Sequence, residues 1–180
     1  MNDLDLARLR QDAEAGQADA QYLLAMHYIH GASSAEDSEK AAALLTHAAQ
    51  QGHKEAQYNL GICYHYGYGV STNAEEALNW YLTSAEQGYP KAMALVGSFY
   101  HEGRCFQQDY TQAVRWFEKA AEFHDPKAEY MLGICYAMGQ GVEQDLDSAV
   151  LWLRKAAQQE YPAAIQALKV MGADEENKPV

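Results

Sequence analysis

The sequence predicts an all-α array of stacked helix pairs, and three observations carry that prediction. The first is an internal period. Trp80, Trp116 and Trp152 stand 36 residues apart, and the same offset links Ala41, Ala77, Ala113 and Ala149, links Tyr28, Tyr64, Tyr100 and Tyr136, and links Gly31, Gly67, Gly103 and Gly139. Self-similarity at roughly 20 to 50 residues marks repeat architectures. The second is the helical spacing of apolar residues inside each unit. The third is composition: 31 Ala and only 4 Pro in 180 residues suit closely packed helices with Gly-marked turns.

The chain divides by this register into a single solenoid. Residues 1–16 form an N-terminal half-repeat cap, in which Leu6, Leu9, Ala13 and Gly16 fall at the positions of Leu78, Tyr81, Ala85 and Gly88. Four repeats follow without insertion or deletion, at 17–52, 53–88, 89–124 and 125–160. Residues 161–172 read as a C-terminal capping helix, since Tyr161, Pro162 and Ala164 match Tyr89, Pro90 and Ala92. Half-units at both ends are what a stack needs to hide its terminal apolar faces. The polar stretch 173–180, ADEENKPV, is expected to be a flexible tail.

Each unit reads as two helices. In the second, Ala56, Leu60, Gly61 and Tyr64 lie on one helical face, and Gly67-Tyr68-Gly69-Val70 breaks the pattern. Asn73 is placed to cap a second helix whose stripe is Ala77, Leu78, Tyr81 and Ala85, ended by Gly88. Pro90, Pro126 and Pro162 open first helices, where a missing N–H costs nothing. Gly61, Gly97 and Gly133, with Ala25 at the same position, lie inside first helices although Gly there costs about 1 kcal/mol. A small residue at that point lets the paired helix come close.

Charge bounds the function. With 13 Lys+Arg against 25 Asp+Glu the formal net charge is -12, which argues against nucleic acid as a partner, because neutralising phosphates needs a basic face. The N-terminus has neither the basic nor the apolar region of a secretory signal. No stretch approaches the roughly 18 uncharged apolar residues of a membrane span. A cytoplasmic protein without membrane insertion is expected. Cys63, Cys105 and Cys135 are an odd number with no C-x-x-C pair, so free thiols are expected in place of a disulfide framework or metal knuckle.

The pattern A-x-x-x-L-G-x-x-Y-x-x-G-x-G-V, an Asp or Asn, then A-x-x-W-x-x-x-A-A and Gly resembles the Sel-one-like repeat (SLR), a relative of the tetratricopeptide repeat. Its fullest copies are Ala128 to Ala157 (AEYMLGICYAMGQGVEQDLDSAVLWLRKAA) and Ala56 to Ala85. The first unit departs most: it lacks the second Gly and the Val after Gly31, and Leu44 replaces Trp. In the third unit Cys105 replaces the second Gly. The resemblance implies a right-handed superhelical α-solenoid of antiparallel helix pairs, similar to tetratricopeptide arrays, that works as an adaptor or scaffold. Bacterial members act in signalling, secretion and host contact, and some immunity proteins that neutralise toxins look similar. A Cys-rich secreted subgroup that binds penicillin-like compounds staples each repeat with a Cys pair. That gives a β-lactam-binding or hydrolysing alternative, but Cys63 and Cys135 sit two units apart, beyond disulfide reach at roughly 10 Å per helix layer.

By analogy with the tetratricopeptide groove, first helices line a concave face. The expected partner-binding residues there are Tyr22, Met26, His30, Tyr58, Ile62, His65, Tyr66, Ser98, His101, Glu102, Tyr130, Ile134 and Met138. Large amphipathic side chains of this sort are favoured at interface cores, and Tyr66, His65, His101 and Glu102 are placed at the centre. Tyr22, Tyr58 and Tyr130 share one repeat position, which equally suits packing between neighbouring helices. The partner is expected to be a protein or peptide, and the chain a monomer or weak dimer.

No catalytic residue, cofactor or metal is assigned. His65 and His101 share a repeat position, and Glu102, His30 or Cys63 are conceivable further ligands, yet no H-x-x-x-H or comparable spacing supports a metal site. No nucleophile motif, P-loop or dinucleotide fingerprint is present.

Overall fold

The computed structural model describes residues 3–31, 34–105 and 107–173; most of the expected tail lies outside them. Among the described residues there are ten α-helices: α1 (Asp3–Glu14), α2 (Ala18–Gly31), α3 (Ala35–Gln50), α4 (Lys54–Tyr66), α5 (Ala74–Glu86), α6 (Pro90–Glu102), α7 (Tyr110–Ala121), α8 (Pro126–Met138), α9 (Leu146–Gln158) and α10 (Pro162–Val170). None is long and apolar enough to cross a membrane. The helices fall into two compact units, Met1–Tyr89 and Pro90–Val180.

Side chains stop and start the helices where the repeat register places them. Asn73 Oδ1 accepts from the N–H groups of Glu75 and Glu76 at α5. Asp109 does the same for Gln112 at α7 and Asp145 for Asp147 and Ser148 at α9, so orphan donors of the first turn are satisfied. Ser34 caps α3 in the same manner. Helices α6, α8 and α10 begin on Pro90, Pro126 and Pro162.

In the first unit each helix packs on its chain neighbours, α1 on α2, α2 on α3, α3 on α4 and α4 on α5. The core is built from Ala25, Ala41, Leu45, Ala48, Ala56 and Leu60, with a smaller cluster of Ala13, Ala20 and Leu24 under α1. In the second unit the sequence is α6 on α7, α7 on α8, α8 on α9 and α9 on α10. Leu153, Ala156, Ala164 and Leu168 form its C-terminal cluster.

The mid-helix glycines have the role expected of them. A Cβ on Gly61 would stand 2.6 Å from the Tyr81 ring, one on Gly97 2.7 Å from the Phe117 ring and one on Gly133 2.6 Å from Leu153 Cγ. Helices α4, α6 and α8 thus each receive a large residue of the paired second helix where only hydrogen fits. The turn glycines Gly69 and Gly141 lie against the backbones of Ser38 and Tyr110 with positive φ. Cys105 holds the same place with φ 60, so the left-handed turn survives the substitution.

A ladder of side-chain amides ties the helix pairs. Gln51 Nε2 donates to Gln21 Oε1 at 2.8 Å and Gln87 Nε2 to Gln57 Oε1 at 2.6 Å. In the last repeat Gln159 Nε2 donates to the carboxylate of Glu129 at 2.8 Å. Met93 occupies this position in the third repeat and is buried.

Candidate functional site

The first helices set the geometry of the expected surface in each unit. In the first, α2 and α4 carry it. The Tyr22 ring lies 4.5 Å from the ring of His53, tilted by 31°; burial and then the Glu55 charge push its phenol above the usual range. His53 Nδ1 accepts from the Ala56 N–H at 3.2 Å. Its Nε2 lies 3.5 Å from Asp19 Oδ1, and Glu55 Oε2 stands 3.3 Å from Nδ1. Tyr58 packs edge-on against Tyr89 at 5.3 Å and also meets Tyr81 at 5.8 Å. Met26 and Ile62 are half-buried, and the exposed His30 donates from Nδ1 to the Met26 carbonyl at 2.6 Å.

At the C-terminal end of α4 the aromatic residues reach solvent. His65 lies 4.5 Å from Tyr66, and Tyr66 stacks on Tyr68 at 5.6 Å and 25°. Tyr66 is 61% exposed and Tyr68 56%. Gly67, in the left-handed conformation that ends α4, turns the chain so that the two rings meet. Helical spacing does not reach Tyr68, which lies past α4 in the turn. Its equivalents Arg104 and Gln140 were the available signal, since a large aromatic stands only here among polar turn residues.

In the second unit, α6 and α8 carry the equivalent positions. Tyr130 faces Tyr161 at 5.4 Å, which repeats the pairing of Tyr22 with His53 and of Tyr58 with Tyr89. All three tyrosines of this repeat position therefore pack against the opening residue of the following unit, while each remains half-buried. Ser98 is removed from any contact surface: it is 5% exposed and its hydroxyl donates to the Ala94 carbonyl at 2.9 Å. His101 is turned toward the turn after α8, with Nε2 2.9 Å from Gln140 Oε1 and its ring edge-on to Tyr110 at 5.1 Å. Glu102 is exposed and paired with Arg104 at 2.8 Å. Ile134 is half-buried and Met138 is 64% exposed.

This arrangement offers aromatic faces and mixed charges on the first helices of each unit. Among the described residues no group of three His, Cys, Asp or Glu side chains is placed to hold a metal ion. The three cysteines are free. Burial pushes the Cys63 and Cys135 thiols up to about 11, which makes them poor nucleophiles.

Similarity to known proteins agrees with this architecture. The family model "Sel1 repeat" matches residues 18–53, 54–89, 90–122 and 126–161. A protective antigen of uropathogenic Escherichia coli that displays an SLR fold is similar at 36% identity and TM-score 0.85, over 92% of this chain and 36% of that one. A Sel1 repeat protein from Oxalobacter formigenes is similar at 35% identity and TM-score 0.84, over 92% of this chain and 48% of that one. The chain thus spans half or less of the length of these two relatives. The Helicobacter pylori cysteine rich protein B, at 20% identity and TM-score 0.58 over 77% of this chain and 99% of that one, shares the fold. A search of curated proteins finds no match. Sel1 repeats are in general non-catalytic protein-interaction modules. With four consecutive copies in register and two solved relatives above one-third identity, the chain belongs to the Sel1 repeat family.

Proposed function

We propose that the chain is a non-catalytic adaptor or scaffold that binds a protein or peptide partner along its first helices. The observation that carries this reading is the exposed stack of Tyr66 on Tyr68, braced by His65. Two solvent-facing phenols held by a helix end and a left-handed turn present contact area at low entropic cost, as hot-spot residues do. Met26, His30 and Ile62 extend the contact within this unit, and Glu102, Ile134 and Met138 hold equivalent repeat positions in the other. His101 and the three paired tyrosines act as supports with one accessible edge. The free thiols support a reducing, cytoplasmic setting.

Affinity capture from the native cell with the wild-type chain and with a Tyr66→Ala/Tyr68→Ala double variant tests the proposal. The double variant is expected to fold normally and to weaken retention of the principal partner by tenfold or more, the scale of about 1.4 kcal/mol. Undiminished capture would place the site elsewhere. One stoichiometric, tightly held partner would mark an inhibitor such as an immunity protein in place of a scaffold.

A further inference from the structure

The repeat contains its own comparison for one position. Trp80 of α5 is half-buried against the cluster that holds Ala49, Leu60 and Tyr64. One repeat earlier the corresponding residues are Leu44, Ala13, Leu24 and Tyr28. Here the smaller Leu44 lines a cleft of about 720 Å³ between α1 and α3, floored by Ala13, Leu24 and Tyr28 of the same unit. The cleft lies on the side of α2 away from Tyr22, Met26 and Ile29.

Its rim differs from the rest of this acidic chain. Arg10, Lys40 and His47 line the opening, with Glu14 as the acidic member. Their equivalents one repeat on are Thr46, Glu76 and Thr83, so the surroundings of Trp80 lack this rim, although Arg154 holds the Arg10 position and Lys119 and Lys155 the His47 position in later repeats. Lys40 is held by Glu36 at 2.6 Å, with its ammonium 6.0 Å from the centre of the Tyr28 ring. Arg10 makes no ion pair among the described residues.

We propose that this cleft is a second binding site, which takes a tryptophan side chain of a partner polypeptide flanked by acidic residues. The indole occupies the place that Trp80 fills for itself one repeat later. The flanking carboxylates meet Arg10 and Lys40, with the His47 ring beside them as a hydrogen-bond donor, while the apolar floor removes the indole from water. This site is independent of the Tyr66 and Tyr68 surface, and the Tyr66→Ala/Tyr68→Ala variant retains it.

The probe is the blocked peptide Asp-Glu-Trp-Glu-Asp, followed through the methyl NMR signals of Leu24 and Leu44. Saturable shifts at these two residues are expected, with at least tenfold weaker binding when Ala replaces Trp and weaker binding again when Lys replaces the acidic residues. Leu44→Trp restores the repeat residue. That variant is expected to stay folded and lose the peptide by tenfold or more, because its own indole fills the cleft. Ala43→Phe, on the exposed lip, supplies the same blockade if Leu44→Trp does not fold. Arg10→Glu is expected to weaken binding several-fold. Absence of shifts, undiminished binding in both blocked variants, or equal affinity for the lysine peptide would overturn the proposal. Equal affinity for free indole-3-acetate would overturn the polypeptide assignment.

Discussion

Glu129 shows how a single atom exchange changes the ledger of a repeat. At its equivalents, Gln21 and Gln57 use both ends of the amide. Oε1 accepts from Gln51 or Gln87, and Nε2 donates to the carbonyl of Ala13 at 3.3 Å or of Ala49 at 3.1 Å. Glu129, 1% exposed, keeps the first bond to Gln159 but has no amide proton for the corresponding carbonyl of Ala121. The base beside it is His124, with Nδ1 3.7 Å from Oε1 and a side chain 84% exposed, where solvent screens the pair. A buried carboxylate so served costs more than the amide it replaces. Glu129→Gln is therefore expected to stabilise the chain by about 1 kcal/mol, the net worth of one hydrogen bond. Urea unfolding at neutral pH checks it, and a loss of stability would show that the pairing with His124 is the stronger effect.

At the scale of the element, helix pairs are set by close approach and by capping, and both can be perturbed singly. A methyl on Gly133 would meet Leu153 Cγ at 2.6 Å and the Ala149 carbonyl at 3.2 Å. The helix gains roughly 1 kcal/mol of propensity from Ala, but overpacking a tight core costs about 1–3 kcal/mol. Because the blocking atom is the branch point of Leu153, the cost wins, and Gly133→Ala is expected to lower the urea midpoint. A raised midpoint would mean that α8 and α9 have slack. The cap of α9 gives a pH signature instead. Hydrogen bonds from the Ser148 hydroxyl first, then from the backbone N–H groups of Ser148 and Asp147, hold the Asp145 carboxyl below its ordinary value of 3.8. A depressed carboxylate contributes stability that is complete above its unfolded value and disappears as the pH falls through the folded one. Asp145→Ala is thus expected to flatten the acid side of the stability curve. An unchanged acid limb, measured by thermal melts across that range, would exclude this cap as a source of acid sensitivity. Such features follow from local spacing, and so the sequence pattern anticipates the Asn73 cap and the Gly61 contact. It does not anticipate the bond from His101 to Gln140, 39 residues away, or the burial of Ser98. A helical period assigns a residue to a face of its own helix, whereas its exposure depends on which turns and neighbours reach across. The pairing of Tyr130 with Tyr161 sits between these cases, since periodicity left packing and ligand contact equally open.

For the whole molecule the decisive quantity is the net charge of -12 and its placement. Glu36, Asp37, Glu39, Glu75, Glu76, Asp109, Glu143, Asp145 and Asp147 all stand at or beside the starts of second helices, where the helix dipole favours anions. The same placement gives each unit two acidic helix starts, and like charges repel. Salt acts unequally on the two effects. The caps work at hydrogen-bond range, 2.9 Å for Asp109 to the Gln112 N–H and 3.0 Å for Asp145 to the Asp147 N–H. Repulsion between the acids of α3 and α5, or of α7 and α9, involves no such contact and acts through solvent at longer range. Raising ionic strength from about 0.01 M to about 0.15 M shortens the Debye length from roughly 30 Å to roughly 8 Å, which removes most of the repulsion and leaves cap contacts largely intact. Thermal stability at neutral pH is therefore expected to rise with sodium chloride over this interval by a few degrees, on the order of 1 kcal/mol for a chain of this size. Melting temperatures along a salt series give the sign directly. A fall would mean that the dipole attraction of the nine acids outweighs their mutual repulsion, and that the negative charge is held for folding more than for solubility.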